Sequence, residues 1–538
     1  MVYLHHSLLI KIHQMNKFIL LLSIYLSSMI ECEAQFYFNK YYTRDSGYYY
    51  FTSILSHKNA IYALSQFNDI SLNGAYASTA ILKFNFIGEL LKVDTFHPST
   101  EIGMWYQNQL QIENDSLLYF PAYDSTGTYG VSYNINSGKI KYIKFNTILG
   151  KYFFGYPCSI VFPNNVKVFA TGEWNRLRKI GSLNYSVIDL VLTSFNQNIL
   201  SLKKVYQEGL YDIYVNGLHL NKAGGLFFYG GISDFKYNDQ IDFTFKQCIY
   251  ELDTELNLKR KIFSPENIKL GPIHKLIEGD NKSIFTAGSN YTWHITSGGN
   301  YAEGDASITK YDSTGNYLWT KTFYNNENYW YDQFNSIILS KDNLSLVAVG
   351  NYFSSHHQDS ISYDIKKGLI VSISQNGDSL WQRQYIARGT EEYNNINEFL
   401  DIKLCPDGGY LLCGSTAINP PPFPDNYSQA GWLMKVDEYG CFIPGCHLVG
   451  LKQEANDKMD IKIYPNPAKD FISVIHGHDK ILDIDILNLN GVSVKKYKSV
   501  NKLETNFLAL DNLSSGEYIM NFYERGKLLE SKKFLKIE

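Results

Sequence analysis

His356 and His357 stand side by side, with carboxylates at Asp359 and Asp364, and these are residue types that bind transition metals. Neighbouring residues of an extended chain point apart, and no Glu-x-x-His pair supports them, so the sequence predicts no metal site there. The turns Asp124-Ser-Thr-Gly127 and Asp312-Ser-Thr-Gly315 carry oxygen ligands of the kind Ca²⁺ uses, but Asp and Gly also build ordinary turns. Other carboxylates are scattered. No G-x-S-x-G, P-loop, H-E-x-x-H or dinucleotide fingerprint occurs, so no catalytic residue, cofactor or metal ligand is assigned. Cys441 and Cys446 flank Phe-Ile-Pro-Gly and are a candidate disulfide. Cys158, Cys248, Cys405 and Cys413 read as small buried hydrophobes. The cluster Tyr329-Trp330-Tyr331 offers aromatic faces and is the candidate binding surface.

Composition indicates the scaffold. Of 538 residues, 45% are hydrophobic and 19% charged, less than the usual quarter. Aromatics reach 15%, with 43 Tyr and 32 Phe, which suit half-buried strands. A net charge of −4 provides no basic face for nucleic acid. The chain reads as all-β. One hairpin recurs at 307–319, 369–381 and 432–440, with weaker copies at 81–96, 130–145, 189–206 and 248–263. Before it runs an apolar strand, often ending in Gly, as in Leu346-Val-Ala-Val-Gly350 and Leu411-Leu-Cys-Gly414. Another strand and a polar turn precede that, most plainly at 402–410.

Four strands per unit and seven units, with turns 50 to 63 residues apart, make a seven-bladed β-propeller. Six or eight blades are the alternatives, because the first two units are poorly marked. The last hairpin lacks its second strand, and 35–42 resembles the equivalent 318–324, so the N-terminal strand is expected to complete the final blade. The stretches 291–305, 351–364 and 419–424 read as inserted loops on one face, where ligands are usually met. Tyr48-Tyr49-Tyr50 is likewise expected to decorate a loop.

Gly315 to Trp319 and Gly377 to Trp381 share a Gly-x-x-x-Trp spacing. In this the hairpin resembles the quinoprotein-type propeller repeat, although Asp312 stands one residue closer to its Gly. It also resembles the Asp box of sialidases, where Trp follows Gly by three residues. Both boxes are structural in their families, so the resemblance implies Trp packing between blades, not catalysis.

The two ends concern location. Residues 18–30 form an apolar run of 13, preceded by Lys17. A bilayer core needs about 20, so the run suits a signal peptide over 1–34, with the true start expected at Met15. Its removal leaves no transmembrane segment in the mature chain. The other end carries Tyr464-Pro465-Asn466-Pro467, an Asn490-Gly491 hairpin turn, Gly516-Glu-Tyr518 and a Lys-bearing last strand with Lys533. Its short alternating strands suggest a small β-sandwich, Ig-like in size.

Taken together, those motifs closely resemble the type A C-terminal sorting domain of the type IX secretion system of Bacteroidetes. The resemblance implies Sec export, recognition by the outer-membrane secretion machinery, and usually removal of the tail. Release, or anchoring to lipopolysaccharide, follows. The expected map is a signal peptide at 1–34, a propeller at 35–450, a linker at 451–458 and the sorting module at 459–538. The functional expectation is a secreted or cell-surface module that binds a glycan or protein without catalysis. The alternative is a propeller hydrolase or lyase acting on polysaccharide, which needs carboxylates converging on the central channel.

Overall fold

The computed structural model describes residues 37–443, 446 and 461–537, except 45–46, 70–76, 97–109, 125–126, 146–157, 181–182, 197–198, 209–211, 239, 269, 297–298, 324–331, 359–360, 388–393, 420–427, 476–481, 489–491, 501–505 and 525–526. Among these the secondary structure is strand alone, and no helix is long and apolar enough to cross a membrane. The chain divides between Gly445 and Cys446 into two compact units.

Among the described residues the first unit holds four separate four-stranded antiparallel sheets and a twelve-stranded one, which two short links (the parallel pair Ile365↔Asn395, Lys366↔Ile396 and the turn pair Thr43↔Tyr48, Arg44↔Gly47) divide into three more four-stranded antiparallel sheets; the seven are numbered here 1 to 7. Their innermost strands are Gly47–His57, Gln111–Asn114, Cys158–Val161, Asp212–Leu220, Ile273–Glu278, Gln333–Leu339 and Asn394–Leu404. Each sheet runs outward through three more strands, and from sheet 2 round to sheet 1 the innermost strands of successive sheets lie beside one another, while Leu110, at the entry to sheet 2, bonds to Ser53 of sheet 1. Each successive pair of sheets shares an apolar core. Sheets 1 and 2 bury Tyr62, Leu118 and Phe120, whereas 2 and 3 bury Tyr119, Phe169 and Phe195. Sheets 6 and 7 enclose Val349, Phe399 and Trp432, the last two stacked with centroids 4.0 Å apart. Sheets 7 and 1 share Phe51, Phe84 and Leu411. The seventh sheet thus packs on the first, the ring closes, and the unit is a β-propeller.

Closure is by the N-terminal strand, as the sequence predicts. Phe38–Arg44 is the outermost strand of sheet 7, antiparallel to Ser428–Val436 with Phe38 opposite Lys435 and Tyr42 opposite Gly431. The strand carries the lock used between other blades. Trp319 of sheet 5 lies against Gly377 of the next sheet, and Trp381 of sheet 6 against Gly440. A Cβ on Gly440 would sit 2.6 Å from the Trp381 ring, and its φ of +74° favours glycine as well. Phe38 takes the Trp position beneath Gly88, 2.9 Å from where a Cβ would be. Four residues on, Tyr42 donates its hydroxyl to the Gly88 carbonyl, just as Tyr385 does to Gly440.

The strand-ending glycines have a separate cause. The innermost strands of sheets 1, 4, 5, 6 and 7 carry a register shift, at Phe334/Ser336 and Phe399/Asp401 for example, with one extra residue bulged out. The bulge drives the neighbouring carbonyl toward the second strand. A Cβ on Gly350 would lie 1.9 Å from the Gln333 oxygen, and one on Gly414 would lie 1.8 Å from that of Glu398.

Three loop expectations are corrected. The described residues of 291–305 and 351–364 are not loops but continuations of paired strands. Ile284–Thr296 pairs with Gly299–Tyr311 from Ile284↔Tyr311 to Thr296↔Gly299, and Ser345–Gln358 pairs likewise with Ile361–Ser374. In the first, Tyr291, Thr292, Trp293, Ile295 and Thr296 are residues that favour pairing over looping, whereas the second is mostly polar and is held by its ladder. Tyr48-Tyr49-Tyr50 lies in the strand Gly47–His57. Tyr49 is buried against Phe51 and Phe67, and Tyr50 donates to Glu398 at 2.8 Å. The proposed leader, the 451–458 linker and loop residues 420–424 lie outside the described residues.

The second unit has a three-stranded sheet of Lys462–Tyr464, Phe471–Ile475 and Asn506–Ala509, and a four-stranded sheet of Ser493–Val500, Leu482–Asn488, Gly516–Glu524 and Lys527–Lys536. Ile472, Val474, Ile484, Ile486, Met520 and Phe522, drawn from both sheets, form one buried core.

Candidate functional site: the propeller channel

The bulged residues of the innermost strands form a relay from sheet to sheet. Asn216 donates to the Ile273 carbonyl at 2.9 Å and Asn335 to that of Phe399 at 2.8 Å, while His274 Nδ1 lies 3.0 Å from that of Phe334. Burial lowers the His274 pKa to about 4, although Phe334 and Asn335 favour its protonated form, so the ring is neutral at pH 7.

The residue after each bulge turns toward the axis. In sheets 1, 5, 6 and 7 these are Ser53, Lys275, Ser336 and Asp401. They converge on Asp401, which is fully buried. Its Oδ2 accepts from Ser53 Oγ and from the Ile54 N–H, both at 3.0 Å. Its Oδ1 accepts from the Ile402 N–H at 2.8 Å and from Ser336 Oγ at 3.3 Å. Lys403 Nζ reaches both oxygens at 2.7 Å. Ser53 Oγ in turn accepts from the Leu110 N–H, at the entry to sheet 2, at 3.1 Å. One carboxylate therefore ties three sheets together and braces the approach to a fourth.

Two more groups face this knot. Lys275 is half-buried; burial, then the Lys403 ammonium beside it, lower its pKa to about 8 against the attraction of Asp401. His219, two residues past the sheet 4 bulge, is lowered to about 3 by burial and by Lys275, and is neutral at pH 7. Among the described residues, the knot thus brings together two ammonium groups, one neutral imidazole and one carboxylate whose oxygens are already engaged.

Other polar centres serve packing. Glu398 accepts from Tyr50, from Ser415 at 3.2 Å and from Lys366, linking sheets 1, 6 and 7. Burial would raise its pKa, but the Lys366 charge and these hydrogen bonds outweigh that and hold it below the usual range. A cavity of about 540 Å³ opens between sheets 2 and 3, and its Glu113 is paired with Lys167 at 2.7 Å. Asp312 Oδ1 is taken up by its own turn, by the Thr314 and Asn316 N–H groups at 2.8 Å each.

Among the sequence candidates, Tyr329, Trp330 and Tyr331 lie outside the described residues. His356 and His357 are successive positions of one strand, their backbones opposite Tyr363 and Ser362, and Asp359 lies outside the described residues. No group of three or more His, Cys, Asp or Glu among the described residues could hold a metal ion. Cys441 and Cys446 are disulfide-bonded, and the four other cysteines named above are buried thiols.

In the C-terminal unit, Asn466 fastens the Pro-rich turn to the last strand. It donates to the Lys533 carbonyl at 3.2 Å and accepts from the Leu535 N–H at 2.9 Å. Tyr464–Pro465 and Asn466–Pro467 are both cis. Tyr518 donates to the Ser514 carbonyl at 2.8 Å, and Lys533 pairs with Glu517 at 2.7 Å. Gly516 begins its strand, and Gly491 lies outside the described residues.

Nothing in the sequence reading singled out Asp401, Lys403, Lys275 or His219. The available signal was a repeated apolar-x-polar step, seen in Phe51-Thr-Ser53, Ile273-His-Lys275, Phe334-Asn-Ser336 and Phe399-Leu-Asp401.

Residues 462–537 match the family described as secretion system C-terminal sorting domain. The second unit is therefore a sorting domain, and it marks the chain for export to the cell surface or beyond. No curated protein matches the chain in sequence. Among solved structures, similarity extends to the β-propeller domain of the Trilobed protease from Pyrococcus furiosus, with 8% identity, TM-score 0.38, and coverage of 74% of this chain and 98% of that one. A protein of unknown function from Dyadobacter fermentans gives 10%, 0.36, 74% and 98% for the same quantities. Acylaminoacyl peptidase from Pyrococcus horikoshii gives 8%, 0.38, 82% and 59%.

Proposed function

We propose that the chain carries a Sec signal peptide at 1–34, leaves the cell by the type IX system through an Ig-like sorting sandwich, and works outside as a non-catalytic binding propeller. Its ligand is a glycan or a protein met in the channel or on the strand-extended face. The supporting observation is the saturation of Asp401. Acid–base cleavage of a glycosidic bond uses two carboxylates about 5–10 Å apart, one of them free to give or take a proton. Asp401 instead spends both oxygens on Ser53, Ile54, Ser336, Ile402 and Lys403, an arrangement that stiffens a channel.

A glycan array and a surface-protein pull-down with the secreted full-length chain test this reading. Retention of a ligand, with no cleavage on prolonged incubation, is the expected result. Turnover of a polysaccharide, or no ligand in either format, would overturn it. Deleting residues 462–537 is expected to leave the chain in the periplasm.

A further inference from the structure

The channel contains more positive charge than the fold uses. Lys403 is held by Asp401, whose oxygens are shared among three sheets. Lys275 stands at the equivalent post-bulge position of sheet 5, facing the Lys403 and Asp401 charges, and no side chain or carbonyl among the described residues bonds to it. His219 of sheet 4 lies beside Lys275, its ring neutral and also without a described hydrogen-bond partner. An ammonium group at such depth costs free energy unless something negative meets it. Charges set in low-dielectric walls also focus their field on whatever enters.

We propose that Lys275, Lys403 and His219 form an anion site in the propeller channel, which takes the oxyanion of a carboxylate or phosphate group. Lys275 supplies the unmatched charge, as an ammonium donor to one oxygen. His219 donates a neutral N–H to a second. Lys403 remains on Asp401 and adds its field, so that Asp401 and the serines position the lysine without touching the ligand. Among the described residues, the charged and titratable groups facing the site are these three, Asp401, the neutral Tyr229 phenol, whose oxygen lies 2.1 Å from where a Cβ on Gly217 would be, and the buried Cys413 thiol behind Asp401 and Lys403. This deepens the binding reading by naming the chemistry the channel accepts, a uronic acid or a phosphorylated group being two carriers of it.

The test is calorimetric titration of the full-length chain with sodium phosphate, sodium glucuronate and glucose at fixed ionic strength. Glucuronate and glucose share a ring and differ in the carboxylate. Binding of either anion at one site per chain, with none of glucose, is expected, and the preferred anion identifies the carrier. Lys275→Met is expected to weaken that binding at least about tenfold, as loss of a charge-assisted bond should, whereas Lys275→Arg retains it. Circular dichroism checks that both variants fold. Should Lys275→Met not fold, the comparison of glucuronate with glucose on the unaltered chain still decides. No anion binding, equal binding of glucose, or unchanged affinity in a folded Lys275→Met overturns the site. A positive array with no small-anion binding would sink this site and leave the binding reading intact. Anion binding with an empty array would do the reverse.

Discussion

The Ser53 hydroxyl and the Asp401 carboxylate, 348 positions apart in the chain, lie 3.0 Å apart in the fold. The bond joins the innermost strands of the first and last sheets, beside the seam where the ring closes. Asp401 is fully buried and its partner Lys403 is 31% exposed, so the desolvation of this pair falls mainly on the acid.

Asp401→Ala is expected to be among the most damaging single changes in the propeller. It orphans the Ile54 N–H and the Ser53 and Ser336 hydroxyls and releases Lys403, a loss on the order of 3 kcal/mol. Asp401→Asn keeps an acceptor and should cost about half as much. Thermal unfolding followed by circular dichroism measures both; equal melting temperatures for wild type and Asp401→Ala would refute the account.

The glycines opposite the bulges set a second test. Gly350→Ala and Gly414→Ala each force a methyl within 2 Å of a carbonyl oxygen, at 1.9 and 1.8 Å. Each should cost at least about 3 kcal/mol, the upper end for overpacking, because the obstacle is backbone and cannot rotate away. Gly408→Ala meets nothing closer than Lys341 Cδ at 3.4 Å and should cost only about 1 kcal/mol, through its positive φ. Soluble yield and melting temperature separate the two classes.

Lys275 gives the molecule a pH signature. Its folded pKa of about 8 lies below the ordinary lysine value of about 10.4. Between those limits the unfolded chain still holds a proton that the folded chain has released, so stability rises as pH climbs from about 8 to about 10. Below pH 8 the penalty of burying the ammonium is fully present. Lys275→Met should therefore melt higher than wild type at pH 7, and the gap should narrow toward pH 10. A gap that widens with pH would exclude this assignment.

The seam is expected to open before the rest of the ring. Phe38→Ala removes the ring beneath Gly88 and should cost about 3 kcal/mol, as large-to-small core changes do. Tyr42→Phe removes only the hydroxyl bonded to Gly88, for about 1 kcal/mol. Hydrogen exchange should then quicken in Phe38–Arg44 and Ser428–Val436 while the sheet 4 strands stay protected. Uniform acceleration in all seven sheets would show that the seam is no weaker than the rest.

Asn466→Ala breaks both bonds between the Pro-rich turn and the last strand of the sorting domain, at a cost of about 2 kcal/mol. Proteolysis within 461–537 should quicken without change in the melting of the propeller.

Much of this architecture is legible in the sequence, for local reasons. Gly315-x-x-x-Trp319 and Gly377-x-x-x-Trp381 announce hairpins because turn and packing residue are neighbours in the chain. The closing strand is readable because Phe38 and Tyr42 repeat the spacing of Trp381 and Tyr385. The channel is not, because Ser53, His219, Lys275, Ser336 and Asp401 come from five separate sheets and meet only through ring closure and a bulge in each strand. Single polar residues in apolar strands carry no label saying which face they will take. The stretch 291–305 misleads for the opposite reason, since polar residues and glycine mimic a loop where the chain continues as paired strand.

The strand that seals the ring is the first of the propeller to be synthesised and the last to find its place. Trp432 Nε1 donates to Asn39 Oδ1 at 2.6 Å across 393 positions, so closure must wait until nearly the whole propeller exists. Bringing together ends so distant costs about 5 kcal/mol in chain entropy, and until then Ser428–Val436 presents an open edge. The sorting domain follows that edge in the chain. A truncated product lacking the last blade therefore also lacks the export label, so the order of parts along the polypeptide keeps chains cut short before the closing blade from being addressed for the outside.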